Sequence, residues 1–557
     1  MKRTAGRKKR CAPGVAYKEH ERSLFTPCGE RARLRVALAF PNTYAVGMSN
    51  LGFQLVYRLL CLHPEVRCER FFLPDPGPRA GALSSIESGA ALGSFDCIAF
   101  SLSFESDYLH VVRMLALGGV PALRAERRGA PLLLAGGVAV SMNPEPLADI
   151  FDLFAIGEAE ALLPDFIEQA LACLQRGAAA GLRPEDFEHI GGMYAPGRAC
   201  PVYDGERLVG MQSSAQGLPV AARRPEDIDT CHASSCILTP HTQFADMALV
   251  ELSRGCPRGC RFCAVGSLYA PFRRRSLASL RAGIEPLLQQ GIKVGLLGAA
   301  ASDHPDLEAL MRTIVERGGR LSISSLRADA LTPGMVELLA ACGHTTFTIA
   351  PEAATQRLRD VLGKNISHDD IMRAAELFAA QGVSSIRLYF MIGLPGERDE
   401  DIDAIADLAV AVAQRYRAAG GGQRLRRLTL SISPFVPKSF TPFQWHGFEP
   451  VDSLKKKLAR IQAALRGDKK IQLSCDSPRM SLVQALLSTG DRRLSKLLLS
   501  AHALGSWTRA FRQAGFNPEA HACRTRGRDE FLPWDVLDHG IDKDMLWRAY
   551  QKALEGL

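Results

Sequence analysis

Short apolar runs alternate with amphipathic stretches along most of the chain, and this alternation predicts an α/β architecture. Residues 34–40, 95–104 and 131–137 are apolar at nearly every position, whereas residues 50–62 have helical spacing. Strands that are apolar throughout are buried on both faces, as in a parallel sheet covered by helices. We therefore predict a doubly wound sheet domain over residues 34–185, with its ligand-binding loops at the carboxyl ends of the strands.

A second region of the same alternation follows a break. Six apolar strand runs, each next to a helical pattern, lie between residues 247 and 440, and they predict a barrel or partial barrel over residues 246–470. Its active site is expected at the carboxyl ends of the strands. Residues 186–245 are rich in Gly, Pro and Arg and predict a linker, with a small antiparallel piece near residues 201–211. Residues 471–557 predict a mainly helical extension.

Composition narrows the class of protein. Hydrophobic residues make up 47% and charged residues 23% of the 557 residues, which is typical of a globular protein with large cores. We find no apolar run of the ~18 residues that cross a bilayer. Residues 1–33 form a basic tail without the apolar stretch of a secretion signal. We therefore expect a cytoplasmic protein that does not associate with a membrane.

The net charge of +9 weakly favours an anionic partner such as RNA. The alternative interpretation is a solvated surface with a disordered basic tail. Residues 490–493, with the sequence GDRR, offer two arginines that suit a phosphate or carboxylate. The same arginines also suit a capped helix with a surface ion pair, and both interpretations stay open.

One group of cysteines has ligand-like spacing. The chain has 15 cysteines, and most lie in apolar surroundings typical of small core residues. Cys256, Cys260 and Cys263 instead form CxxxCxxC in a loop directly after the first barrel strand, where Gly255 and Gly259 allow the backbone to curl. Three thiolates can hold three corners of an iron–sulfur cube and leave one iron open. Zinc or free thiols are the alternatives, but structural zinc prefers four ligands.

This loop, CxxxCxFC after the first strand of a β/α barrel, resembles that of the radical S-adenosylmethionine (SAM) superfamily. The resemblance implies a 4Fe-4S cluster on the three cysteines and SAM on the open iron. Reductive cleavage of SAM then gives a 5′-deoxyadenosyl radical that abstracts hydrogen. A reductant protein such as flavodoxin or ferredoxin is the expected electron donor.

The resemblance also implies residues that contact SAM, although it identifies no catalytic acid or base. They are Phe262, Gly298, Ser325, Arg327 and Glu352. The segment around Gly298 departs from the glycine-rich GGE form of the family. Glu352 also suits the start of a helix, and Arg327 also suits an ion pair with Glu352 or another barrel acid.

A Rossmann-like domain ahead of such a barrel resembles the cobalamin-binding class of radical SAM proteins. The resemblance covers nearly the whole chain after residue 34 and implies cobalamin as an additional cofactor. Four residues at strand ends are the expected contacts: Ser101, Ser103, Gly136 and Gly137. The DxHxxG motif that supplies a histidine to cobalt is absent, since the corresponding residues 40–52 read FPNTYAVGMSNLG. The alternative is a domain that only shapes the substrate cavity.

The leading hypothesis is cobalamin-dependent methyl transfer to an unactivated carbon of an unknown substrate, with RNA or a peptide favoured loosely by the basic charge. A cobalamin-free radical rearrangement or sulfur insertion is the first alternative. An iron–sulfur protein that binds RNA or senses redox state is the alternative from another class.

Overall fold

The protein is described here from a computed structural model. The structure describes residues 17–29, 31–75, 83–127, 129, 131–176, 181–214, 217–323, 326–420, 425–467 and 470–555. Most of the basic tail and Ser325 therefore lie outside the described residues. Among the helices of the described ranges, none is long and apolar enough to cross a membrane.

The first domain-sized unit is a six-stranded sheet with the spatial order β2-β1-β3-β4-β5-β6. Its strands are β1 (Leu34–Thr43), β2 (Val66–Leu73), β3 (Cys97–Ser101), β4 (Leu132–Gly136), β5 (Leu153–Ala155) and β6 (Met193–Tyr194). The helices that surround it are α1 (Tyr44–Gly47), α2 (Leu51–Cys61), α3 (Tyr108–Leu117), α4 (Val138–Met142) and α5 (Ala159–Gln175). All pairs are parallel except β5 with β6. The predicted doubly wound sheet is therefore confirmed.

Strand β2 was not foreseen, because charged residues interrupt its apolar pattern. Glu69 and Arg70 are each only 1% exposed. The Arg70 guanidinium donates to Glu21 at 2.7 and 2.8 Å and to Glu87 at 2.6 Å. A buried charge is tolerated where partners surround it, and those partners come from distant parts of the chain.

An antiparallel hairpin follows, as the sequence predicted near residues 201–211, and then two parallel sheets form the partial barrel. The hairpin strands are β7 (Ala199–Asp204) and β8 (Arg207–Ser213). The first barrel sheet, β9-β10-β11, contains β9 (Met247–Glu251), β10 (Lys293–Leu297) and β11 (Leu321–Ile323). The second, β12-β13-β14-β15, contains β12 (Thr346–Glu352), β13 (Ser385–Ile392), β14 (Arg427–Pro434) and β15 (Ile471–Cys475). Strand β15 was not foreseen and extends the six predicted strands.

Helices follow the strands of the two barrel sheets. They are α6 (Val265–Leu268), α7 (Leu277–Gln289), α8 (Leu307–Glu316), α9 (Pro333–Ala341), α10 (Gln356–Leu362), α11 (His368–Ala380), α12 (Asp399–Ala419) and α13 (Val451–Ala464). Most of them cover an apolar core made mainly of leucine, isoleucine, valine and alanine, whereas the buried residues of α6 and α10 pack with the N-terminal sheet and the C-terminal helices. Side-chain caps fix where several begin: the hydroxyls of Ser276, Thr332 and Thr355 accept backbone N–H groups of the first turn.

The C-terminal region is helical, as predicted, and packs against the N-terminal sheet. Its helices are α14 (Pro478–Thr489), α15 (Leu494–Leu504), α16 (Trp507–Gln513), α17 (Pro518–Ala522) and α18 (Lys543–Glu555). The buried Arg492 guanidinium donates to the Glu145 carboxylate at 2.8 and 3.0 Å and to the Ala199 carbonyl at 2.6 Å. The first arginine of the GDRR segment is therefore committed to a carboxylate of the protein itself.

Candidate active site at the carboxyl end of the barrel

The cysteine loop begins directly after β9, at the carboxyl end of the barrel. Gly255 has φ +84°, and a Cβ atom there would lie 2.6 Å from the Tyr269 carbonyl oxygen, so only glycine fits this turn. Gly259 has open space around its Cα and no positive φ, so the backbone does not require glycine there.

The same loop is fixed onto the end of helix α10. The Arg261 N–H donates to the Leu362 carbonyl at 2.9 Å, and the Arg261 guanidinium donates to the carbonyls of Asp360 and Val361 at 2.7 Å each. The Arg261 carbonyl in turn accepts the Phe443 N–H at 3.3 Å. These bonds hold the three cysteines in a fixed loop between β9 and α10.

The three thiols are half-buried and share one neighbourhood. Burial raises the pKa of Cys263 to about 11, and the nearby Cys260 and Cys256 thiols contribute to the rise. Burial and Cys256 also raise the pKa of Cys260, although Lys364 and Arg327 act in the opposite direction. The thiols of Cys260 and Cys263 are therefore protonated at neutral pH, and a bound metal would displace those protons.

The donor set of this loop, three cysteines, matches three corners of an iron–sulfur cube. Among the residues that the structure describes, no three His, Cys, Asp or Glu side chains already stand as ligands of one metal ion. In an iron–sulfur cube each cysteine binds a different iron, so its three thiols stand further apart than the ligands of a single zinc.

The arginines of this loop have partners within the protein. Arg254 pairs with Glu158 at 2.5 Å and with Glu160 and Glu251 at 2.8 Å each. The Arg258 guanidinium donates to Asp303 at 2.9 Å from its Nε atom. The loop charges are thus used to hold the surrounding elements together.

A buried lysine that the sequence analysis did not single out completes the site. The Lys364 ammonium lies 3.0 Å from the Glu352 carboxylate and 5.9 Å from the centroid of the Phe262 ring. Glu352 ends β12 with φ +66°, a strained conformation for a residue other than glycine. Burial raises the pKa of Glu352, and Lys364 only partly offsets that rise. The signal in the sequence was a lysine directly after Gly363, the left-handed residue that ends α10.

Arg327 is held beside this pair. Its guanidinium donates to Asp329 at 3.0 and 3.1 Å and to the Lys364 carbonyl at 3.0 Å, while its N–H donates to the Ser302 hydroxyl at 3.1 Å. The interpretation of Arg327 as the partner of another barrel acid matches this geometry. Cys260, Arg327, Glu352 and Lys364 therefore converge, since each of the three charged groups shifts the pKa of Cys260.

Gly298 directly follows β10, next to the end of β9. A Cβ atom at Gly298 would lie 3.0 Å from the Ser253 hydroxyl oxygen, and this buried hydroxyl has no hydrogen-bond partner among the residues that the structure describes. A buried polar group without a partner is unusual, and it marks a position where a ligand can supply the missing bond.

The four residues expected for cobalamin lie at the carboxyl edge of the N-terminal sheet, but two of them are engaged internally. The Ser103 hydroxyl accepts from the Asn50 amide at 3.0 Å. Gly137 has φ +107°, and a Cβ atom there would lie 2.5 Å from the Leu102 carbonyl oxygen. Glycine is therefore needed at this position because the backbone of Leu102 lies so close to it. Ser101 and Gly136 end β3 and β4, where they are paired in register.

The carboxyl edges of the N-terminal sheet and of the barrel are joined by ion pairs. Lys438, which follows β14, lies 2.5 Å from Glu105, which follows β3. Burial by itself would raise the pKa of Glu105, but the positive charge of Lys438 has the larger effect, and the pKa of Glu105 is lowered. Phe104, beside Glu105, is 58% exposed.

Comparison with known proteins is consistent with this arrangement. The family model described as the N-terminal part of radical SAM proteins matches residues 52–196, and that of the radical SAM superfamily matches residues 250–409. The second match contains the end of β9, the cysteine loop, β10 to β13 and the first half of α12.

Individual relatives cover different parts of the chain. An uncharacterised protein of Methanocaldococcus jannaschii is 28% identical over 469 residues, 83% of this chain and 90% of that protein. The ribosomal protein uS12 methylthiotransferase RimO of Pseudothermotoga lettingae is 23% identical over 173 residues, 29% of this chain and 40% of that protein.

Among solved structures, the cobalamin-dependent SAM radical enzyme OxsB with aqua-cobalamin and SAM bound is 15% identical. The match covers 68% of this chain and 52% of that one, with a TM-score of 0.44. Both family models that match are models of radical SAM proteins. The chain is therefore an enzyme of the radical SAM superfamily, whose members use a 4Fe-4S cluster and SAM.

Proposed function

We propose that Cys256, Cys260 and Cys263 bind the 4Fe-4S cluster and that the protein modifies its substrate by hydrogen abstraction. The observation that carries the proposal is the convergence of three half-buried thiols in a loop fixed at the carboxyl end of β9. When bound, the cluster and SAM supply reductive cleavage to a 5′-deoxyadenosyl radical.

The chain's own residues bind and orient SAM in this proposal. Glu352 and Arg327 offer opposite charges to its amino and carboxylate groups, while Phe262 and Gly298 line the pocket. Ser325 stays a proposed contact from the sequence alone. Lys364 holds the Glu352 carboxylate in place at 3.0 Å, and the unpartnered Ser253 hydroxyl offers one further hydrogen bond.

Cobalamin-dependent methyl transfer is the finer proposal. It is supported by the position of the N-terminal sheet, whose carboxyl edge meets that of the barrel through Glu105 and Lys438, and by the exposed Phe104 ring. Ser101 and Gly136 lie at the ends of β3 and β4 on this edge. Because Ser103 and Gly137 contact other parts of the protein itself, the proposed cobalamin contacts are fewer than the four that the sequence suggested.

The test is to purify the protein without oxygen, reconstitute it with iron and sulfide, and incubate it with SAM, dithionite and hydroxocobalamin. Iron, sulfide, retained cobalamin and SAM products are then quantified. We expect three to four irons per chain, on the order of one cluster, and formation of 5′-deoxyadenosine.

The products separate the candidates. Retained cobalamin with S-adenosylhomocysteine and 5′-deoxyadenosine supports methyl transfer to carbon. 5′-Deoxyadenosine without retained cobalamin supports a radical reaction without that cofactor. A loaded cluster that never cleaves SAM contradicts the proposal and favours an iron–sulfur protein that senses redox state or binds RNA.

A further inference from the structure

A separate cavity lies in the C-terminal region, between the turn of the β7–β8 hairpin, the junction of α14 with α15, and the segment after α17. Its volume is about 310 Å³. The residues that line it include four arginines, Arg207, Arg493, Arg524 and Arg526, with His521 beside them. This cavity is lined by none of the residues assigned above to the radical chemistry.

Two of these arginines have carboxylate partners. Arg493 pairs with Asp491 at 2.6 Å and donates to the Glu206 carbonyl at 2.9 Å. Arg524 donates to Glu530 at 2.9 Å. Their charges are therefore largely offset within the wall of the cavity.

Arg526 differs from both. It is 4% exposed, its buried Nη1 atom has no hydrogen-bond partner, and its guanidinium forms no ion pair with any residue in the described part of the chain. Its backbone N–H donates to the Trp445 carbonyl at 2.8 Å, so its position in the wall is fixed. Burial, with a contribution from Arg524, lowers the pKa of Arg526 to about 10, which leaves it charged at neutral pH.

A buried cation without a partner is costly, and a guanidinium has five donors in a planar fork that suits an oxyanion. The side chains that line the cavity carry one more positive than negative charge, because Glu206, Asp491 and Glu530 face the four arginines. The cavity has room for more than a bare ion, and it has apolar walls. Phe516 stacks on His521 with ring centroids 4.3 Å apart, and Phe531 lines the cavity as well.

We propose that this cavity is a binding site for a small molecule with an oxyanionic group, a phosphate or a carboxylate, held by Arg526. Arg493 and Arg524, each paired with a carboxylate, line the same cavity, and Phe516 and Phe531 contact the apolar part of the ligand. The proposal goes beyond the radical chemistry and does not depend on it.

The test titrates the full-length protein with sodium phosphate and, separately, with sodium acetate, at constant ionic strength maintained with chloride. Binding is read by calorimetry and by the thermal unfolding midpoint. Arg526→Met removes the fork, and Arg509→Met is the matched control because Arg509 is an exposed arginine of the same region. We expect binding to wild type and to Arg509→Met, and at least about tenfold weaker binding to Arg526→Met.

Without added anion, Arg526→Met should unfold at the same or a higher temperature than wild type, since an unpaired buried charge is gone. A structural role alone predicts a lower temperature. If Arg526→Met does not fold, Arg526→Lys, which keeps the charge and loses the fork, should bind phosphate more weakly.

Binding of phosphate alone assigns a phosphorylated ligand, and binding of acetate alone assigns a carboxylate ligand. The proposal is overturned if neither anion binds wild type. It is also overturned if wild type and the Arg526 variants respond equally, because phosphate stabilises folded proteins in general.

Discussion

The barrel and the N-terminal sheet have the same kind of edge, the carboxyl ends of parallel strands, but they use it differently. In the barrel, Arg327, Glu352 and Lys364 converge on the cysteine loop. In the N-terminal sheet, Glu145 and Asn143 bond to the C-terminal helical region: Glu145 to Arg492, and the Asn143 amide to the Ser488 and Gly490 carbonyls at 3.1 and 2.9 Å. The carboxyl edge of a parallel sheet is thus a possible ligand site. The elements that pack against that edge decide whether it binds a ligand or forms an interface with another part of the protein.

The largest effect should come from the cysteine loop. Cys260→Ala is expected to abolish the visible absorbance of the cluster and SAM cleavage, because two thiolates hold a cubane poorly. Cys342→Ala is the matched control, since Cys342 is also half-buried but lies after α9, at the amino end of the barrel. Iron content and 5′-deoxyadenosine are measured for both. Retained cleavage in Cys260→Ala would contradict the ligand assignment.

The second largest effect should come from the interface between the edge of the N-terminal sheet and the C-terminal helices. Arg492→Met leaves the fully buried Glu145 carboxylate without its partner and should lower the free energy of unfolding by about 4 kcal/mol. The measurement is urea denaturation followed by circular dichroism.

The control for this interface is Arg528→Met, which breaks the exposed pair with Asp544 and should leave the free energy of unfolding almost unchanged. Equal losses in the two variants would show that the Arg492 pair is no more important than a surface pair.

Lys364→Met tests the charged pair of the barrel edge. Glu352 would lose its only ion-pair partner among the described residues, and stability should fall by about 3 kcal/mol. SAM cleavage should fall as well, since Lys364 positions Glu352. Lys455→Met, which breaks the exposed pair with Asp452, is the control and should leave both quantities almost unchanged. Unchanged SAM cleavage in Lys364→Met would remove Lys364 from the site.

The smallest effect concerns pH. The His539 Nε2 atom donates to the Ser141 carbonyl at 2.8 Å and lies near Arg224 and Asp538, and burial lowers the pKa of His539 from 6.5 to about 4. Between pH 6.5 and 4 the unfolded chain therefore binds more protons than the folded one, so stability present at pH 7 is lost as pH falls. At pH 5 this loss is about 2 kcal/mol.

His539→Gln keeps a donor for Ser141 but cannot titrate, so its stability should fall less between pH 7 and pH 5 than that of wild type. His368→Gln, at an exposed histidine, is the control. Urea denaturation at both pH values measures the difference. The same pH dependence in wild type and His539→Gln would place the proton uptake elsewhere, as at the buried His446, whose pKa burial also lowers to about 4.

Sequence periodicity predicted most of the fold because buried parallel strands and amphipathic helices have strong patterns. It missed β2, where the buried Glu69 and Arg70 break the pattern. Their hydrogen-bond partners include Arg67 within the strand as well as residues 16 to 49 positions away. The cysteine spacing is also a pattern among residues close in sequence, so the sequence alone identified it. The sequence did not identify the roles of Lys364 and Arg526, because each role depends on which side chains lie nearby in space.

The sequence by itself determined the α/β class, the order of the strands along the chain, and the loop that carries Cys256, Cys260 and Cys263. These features depend on neighbours within a few residues. Only the tertiary structure decided that Arg492 serves an internal carboxylate whereas Arg526, in the same region, has none. The physical reason is that the partners of an arginine decide whether it stabilises the fold or binds a ligand. Packing between distant segments of the chain determines which partners it has.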